Sequence, residues 1–174
     1  MYNLQENVSL KPFNTFNVEA RTRYFCEVNS EQALLALCQR LGDFKKYMVL
    51  GGGSNVLFCG DYDGLIILNK IKGQSFQDDA ENVIAGFGGG ENWHQSVLNS
   101  IEQGLYGLEN LSLIPGTVGA APVQNIGAYG VELKDVFLSL KAINLKTAQL
   151  ETFDLTQCEF GYRDSVFKNA AAGK

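Results

Sequence analysis

Leu50-Gly51-Gly52-Gly53-Ser54-Asn55-Val56-Leu57-Phe58 decides how this chain is read. The apolar run Tyr47-Met48-Val49-Leu50 leads straight into it and has the length and composition of a buried strand. A strand therefore delivers three glycines and two polar side chains to one place. Lacking Cβ atoms, Gly51, Gly52 and Gly53 can turn their N–H groups toward one point, and Ser54 and Asn55 add side-chain donors. Phosphate or pyrophosphate is the natural guest of such a nest. A tight turn that needs glycine for its own geometry fits the same residues.

Composition narrows the classes. The chain has 174 residues, of which 45% are hydrophobic and 11% aromatic, enough for one domain or two small lobes. A net charge of −5 and the lack of any Lys and Arg cluster argue against nucleic acid as a partner. An anionic ligand must then be held by local dipoles, which glycine loops supply. No apolar run approaches a membrane span, and Met1 to Glu6 lacks the blocks of a signal peptide, so membrane insertion is not expected. Cys26, Cys38, Cys59 and Cys158 are widely spaced and share the chain with one histidine, which predicts reduced thiols, a cytoplasmic setting and no metal site.

Around the loop the pattern alternates strand and helix. Arg21 to Val28 reads as a strand, Asn29 with Gln32 as a capping box, and Leu34, Leu37, Cys38 and Leu41 as one helical face. Leu65 to Leu68 and Val83 to Phe87 are short apolar strands. Gly88-Gly89-Gly90 opens a second helix with Trp93, Val97, Leu98 and Ile101 on its buried face, Glu91 in its first turn and its end at Gly104. That acidic residue favours a structural loop over an anion site there. His94 reads as a packed, hydrogen-bonded imidazole and Trp93 as core. Leu138 to Leu145 and Leu150 to Asp154 make a hairpin. Leu10 to Val18 reads as an extended arm with a turn, and Ala170 to Lys174 as a chain cut before an element is complete.

Leu111 to Gly130 is different in kind. Two prolines, four glycines and many small residues offer little side chain to bury, so they suit a wall against a flat ligand, or else a long connecting loop.

Six segments in register then agree. Gly51 to Leu57, Gly90-Glu91-Asn92-Trp93-His94, Gly107-Leu108-Glu109-Asn110-Leu111, Ile114-Pro115-Gly116-Thr117-Val118-Gly119, Pro122 to Gly130 and Phe160-Gly161-Tyr162-Arg163-Asp164-Ser165 together resemble the UDP-N-acetylenolpyruvoylglucosamine reductases, or UDP-N-acetylmuramate dehydrogenases, of bacterial peptidoglycan synthesis. The resemblance implies an α/β (α+β) fold: a two-lobed FAD-binding domain of the vanillyl-alcohol-oxidase or p-cresol-methylhydroxylase type, with lobes at 1–68 and 69–174. It implies non-covalent FAD, its pyrophosphate held by Gly51, Gly52, Gly53, Ser54 and Asn55. Its ribityl and ring system would lie along Pro115, Gly116, Gly119, Ala120, Ala121, Pro122, Gln124, Asn125, Gly127, Ala128 and Tyr129. Ala120 and Ala121 stand where some relatives carry serine.

The reaction implied takes hydride from NADPH through the flavin to the enolpyruvyl group of a UDP-sugar. Arg163 is then the catalytic cation that grips the substrate carboxylate, and Tyr162 adds a hydroxyl beside it. By residue type alone, a surface Arg163–Asp164 contact with a packed tyrosine is the favoured reading, and only the resemblance reverses it. The family's proton-donating serine and its partner glutamate have no match here, so the resemblance implies that the C-terminal substrate-binding domain is absent and that the chain alone is inactive. A flavin-binding module, or another flavin oxidase of the same fold, is the competing expectation.

Overall fold

The computed structural model describes residues 2–169. They form two compact units that divide between Ile71 and Lys72. The expectation for Ala170 to Lys174 lies outside the described residues.

The first unit is built on a four-stranded mixed sheet. Strands β1 (Asn3–Ser9), β2 (Arg21–Val28), β3 (Tyr47–Leu50) and β4 (Tyr62–Asn69) lie in the order β1-β2-β4-β3. The β1 strand is antiparallel to β2, whereas β4 runs parallel to both β2 and β3. Parallel strands need crossover connections, and α1 (Glu31–Cys38) lies in the one from β2 to β3, which flank β4. Central β4 is buried from Gly64 to Leu68, as a strand covered on both faces must be. Alternation sends Phe25, Ile66 and Leu68 to a core shared with Leu10, Ala20, Leu50 and Phe58. Cys26 and Ile67 point the other way and are buried too, with α1 lying against β2.

Two details differ from the sequence reading. Ser30, not Asn29, caps α1, its hydroxyl accepting the Ala33 N–H at 3.2 Å. Strand β1 carries no apolar alternation, and it forms because the free edge of β2 offers it a ladder.

In the second unit, β5 (Gln74–Asp79) and β6 (Asn82–Phe87) form a hairpin, as do β7 (Gly127–Ala128) with β8 (Val131–Glu132) and β9 (Ser139–Asn144) with β10 (Gln149–Asp154). The polar β5 was invisible to hydrophobic patterning. Helix α2 (Trp93–Glu102) packs Trp93 and Val97 with Leu111, Ala121, Ile126 and Leu133. Its buried face is Trp93, Ser96, Val97 and Ser100, not the expected stripe through Leu98 and Ile101, each of which is 36% exposed. The serines tolerate burial because each hydroxyl donates to the carbonyl four residues back, Ser96 to Asn92 and Ser100 to Ser96, both at 3.0 Å. The helix ends at Gly104 as expected: Gly104 and Leu105 N–H groups close onto the Ile101 and Ser100 carbonyls.

Candidate functional site

The glycine loop leaves β3 at its carboxyl end, in the first unit. Gly53 sits at φ +65°, and a Cβ there would lie 1.9 Å from the Phe13 carbonyl oxygen. The loop is thus seated on the Leu10 to Val18 arm, and the Thr15 N–H donates to the Gly53 carbonyl at 3.2 Å. Asn14 makes the arm rigid: from a buried position its amide donates to the Leu10 and Val18 carbonyls and its oxygen accepts the Val18 N–H. Among the described residues, no backbone hydrogen bond is donated by the N–H groups of Gly51, Gly52 or Gly53. Three successive unengaged amides are the donor set an anion takes. Gly52 is exposed and Ser54 half-buried at the same loop.

In the second unit, the small-residue stretch is not an open loop. Val118–Gln124 winds into a 3-10 helix. Its approach is tied to the second glycine triplet, since the Gly119 and Val118 N–H groups donate to the Gly89 and Glu91 carbonyls at 2.9 Å. A Cβ on Gly119 would meet the Gly89 carbonyl oxygen at 2.9 Å, so this glycine is small to admit protein backbone. Glu91 corrects the sequence reading. It precedes the Asn92 cap of α2, and its carboxylate accepts the Gly73 N–H at 2.9 Å and the Lys72 ammonium at 3.1 Å. The Gly73 bond and, after it, Lys72 hold that carboxyl below its ordinary range against the opposing pull of desolvation.

Two of the expected cofactor residues turn their side chains into the protein. Ala121 belongs to the apolar core, and Asn125 is fully buried at φ +41°. The Asn125 amide donates to the Gly161 carbonyl at 3.0 Å and its oxygen accepts the Lys134 N–H at 3.1 Å. By contrast Pro115, Ala120 and Tyr129 are exposed, Tyr129 by 87%, while Gly116, Pro122, Gln124, Gly127 and Ala128 are half-buried. Tyr129 and Gly130, both at positive φ, form the two-residue turn of the β7–β8 hairpin, so the Tyr129 ring projects from its tip.

Beside that hairpin lies a shallow cavity of about 320 Å³, lined among others by Gly127, Tyr129, Glu132, Tyr162 and Arg163. Arg163 occupies the third place of a tight turn closed by the Gly161–Asp164 pair. Its φ is +53°, and its guanidinium donates to the Gly127 carbonyl at 2.9 Å. The surface Arg163–Asp164 contact open at the sequence level does not form: the Asp164 carboxylate takes the Asn169 amide at 3.0 Å instead. Tyr162 is 86% exposed rather than packed.

His94 and Trp93 behave as read. The Trp93 indole donates to the Leu111 carbonyl at 2.7 Å, and His94 Nδ1 accepts the Leu113 N–H at 3.1 Å. The four cysteines are free thiols, with Cys26 and Cys158 pushed up to about 11 by burial. Among the described residues no cluster of His, Cys, Asp and Glu could hold a metal ion, and no helix is long and apolar enough to cross a membrane.

Comparison with known proteins places this geometry. Residues 22–153 match the family model described as FAD binding domain. A UDP-N-acetylenolpyruvoylglucosamine reductase of Pseudomonas fluorescens is 49% identical over 172 residues, covering 97% of this chain and 50% of the relative. One of Burkholderia mallei is 48% identical over 175 residues, covering 98% and 50%. The chain thus spans about half the length of the curated relatives it matches. Among solved structures, the reductase of that name from Thermus caldophilus superposes with a TM-score of 0.74 at 24% identity, covering 95% of this chain and 57% of that one. The chain belongs to the FAD binding domain family. Its fold is the two-lobed α+β flavin fold of the vanillyl-alcohol-oxidase and p-cresol-methylhydroxylase type.

Proposed function

We propose that this FAD-binding domain is the flavin-holding part of a UDP-N-acetylenolpyruvoylglucosamine reductase, which uses NADPH to convert the enolpyruvyl UDP-sugar to UDP-N-acetylmuramate for peptidoglycan synthesis in the cytoplasm. The observation that carries the reading is the Gly161–Asp164 turn, which sets Arg163 against the cavity flanked by the small-residue hairpin, in a chain half identical to proteins of that name.

Each residue has a task in this reading. The free N–H groups of Gly51, Gly52 and Gly53 take the pyrophosphate, with Ser54 and Asn55 beside them. Pro115, Gly116, Gly119, Ala120, Ala121 and Pro122, with Gln124, Asn125, Gly127, Ala128 and Tyr129, form the segment along the ribityl and ring system. Ala121 and Asn125 contribute there by backbone, because their side chains are spent inside the protein. FAD, when bound non-covalently, supplies the hydride-carrying ring. Arg163 grips the substrate carboxylate and stabilises the negative charge that builds as the double bond is reduced, and Tyr162 adds a hydroxyl. The two lobes of this reading correspond to the compact units that divide between Ile71 and Lys72, three residues beyond the boundary expected after residue 68, and the proton donor comes from a substrate-binding domain in the length of the relatives that this chain does not span.

The test is an FAD titration of the purified chain, followed by visible absorbance and flavin fluorescence. Uptake of about one FAD per chain supports the proposal, and a protein that takes up none refutes it. Reductase activity is checked in the full-length protein as NADPH oxidation dependent on the enolpyruvyl UDP-sugar. Oxygen consumption dependent on a small hydroxy acid in its place would identify an oxidase of the same fold.

A further inference from the structure

The turn that carries Arg163 is fastened by two side chains for which the proposed chemistry has no use. Asn125, fully buried, donates to the Gly161 carbonyl at 3.0 Å and accepts the Lys134 N–H at 3.1 Å. Ser165, 2% exposed, donates to the Val123 carbonyl at 2.7 Å while its oxygen accepts the Phe167 N–H at 3.2 Å. One bond enters the turn before Arg163 and the other leaves just after it. Both run to the segment from Val123 to Asn125, which leads directly into Gly127, the residue whose carbonyl receives the guanidinium.

This arrangement answers a physical problem. An arginine on a surface turn has a flexible side chain, and a left-handed backbone costs a non-glycine residue about 1 kcal/mol or more. Arg163 holds φ +53° in an exposed turn, so the surroundings must over-determine that conformation. The Lys168 ammonium adds a bond to the Arg163 carbonyl at 2.9 Å, but it is exposed and carries little force. A buried amide and a buried hydroxyl, each bonded as donor and as acceptor, are far stiffer anchors, because breaking either bond leaves a polar group orphaned.

We propose that Asn125 and Ser165 are positioning residues that clamp the Gly161–Asp164 turn onto the β7 approach and so aim Arg163 into the cavity. The proposal rests on the reading of Arg163 as the carboxylate clamp.

The experiment uses the full-length, FAD-loaded protein with its flavin reduced chemically beforehand, and follows single-turnover reoxidation by the enolpyruvyl UDP-sugar. Three variants are compared: Asn125→Asp, which keeps the acceptor for Lys134 but turns the Gly161 donor into an acceptor; Ser165→Ala; and Arg163→Ala. Asn125→Asp and Ser165→Ala are expected to slow reoxidation about 10- to 100-fold, the scale of a small misplacement, with FAD content within about twofold of the parent. Each should cost nothing further when combined with Arg163→Ala, since a clamp has no task once the guanidinium is gone. Effects that add to Arg163→Ala, or loss of FAD in both clamp variants, or failure of both to fold, would show a general structural role and overturn the proposal. An Arg163→Ala protein that reoxidises at the parent rate overturns the clamp reading itself, a result distinct from full loss in Arg163→Ala with no effect of Asn125→Asp and Ser165→Ala.

Discussion

Replacing Gly53 by alanine probes the joint between the glycine loop and the arm beneath it. The new methyl carbon would lie 1.9 Å from the Phe13 carbonyl oxygen, 2.8 Å from its carbon and 3.1 Å from the Asn14 Cα. Reaching ordinary contact at 3.4 Å requires backbone to move by 1.5 Å (3.4 − 1.9), because no flexible side-chain end can yield. That motion parts the Thr15 N–H from the Gly53 carbonyl, worth about 1 kcal/mol. It also shifts Phe13, whose ring lies 4.7 Å from that of Phe25 in the core, a disturbance of about 1–3 kcal/mol. Holding alanine at φ +65° adds about 1–2 kcal/mol. The expected loss is about 3–6 kcal/mol, a large part of a typical domain's stability. Amide exchange at Phe25 and Ile66 across a urea series reads this unit directly, and the midpoint should fall by about 1 M or more. FAD uptake should weaken in parallel. Gly60→Ala, with nothing within 4 Å of its added carbon, is the control and should change stability by less than about 1 kcal/mol. A Gly53→Ala protein within about 0.5 kcal/mol of the parent would refute the reasoning.

Arg163→Lys in the full-length protein should lower turnover about 10- to 100-fold with FAD content unchanged, because an ammonium cannot grip a carboxylate with two parallel bonds; steady-state kinetics and the visible spectrum check this. Asn92→Ala removes the oxygen that accepts the Gln95 N–H at 2.9 Å and should destabilise α2 by about 1 kcal/mol, seen as a lower thermal midpoint. Glu91 is held below its ordinary value of 4.5, so its contribution is complete above that value and is lost as the pH falls through the lower folded one; Glu91→Gln should flatten the urea midpoint across that acid range relative to the parent. Exposed Cys59 should react with a thiol reagent at neutral pH, while Cys26 and Cys158, buried and pushed up to about 11, should react only once urea opens the fold.

By itself the sequence determined the elements with a strong local pattern: β2, β3, the core of β4, β6 and the β9–β10 hairpin fall where periodicity and turn residues put them, and α1 begins there but ends at Cys38, short of the expected Leu41. It also determined the family, since loop chemistry at Gly51 to Asn55 and at Phe160 to Ser165 is written in contiguous residues. What it left open depends on partners distant in the chain. Strand β1 exists only because the β2 edge receives it, and α2 turns its serine side inward because their hydroxyls find the helix's own carbonyls. For Gly119 and Gly53 the structure adds a role that one dimension does not show: their missing Cβ atoms admit the Gly89 and Phe13 backbones. The Asn125 side chain is buried between Gly161 and Lys134, residues 36 and 9 positions away, whose hydrogen bonds no local pattern encodes. Local chemistry selects which segments can form; tertiary structure assigns each polar group its acceptor, because a buried donor must find one wherever the chain brings it.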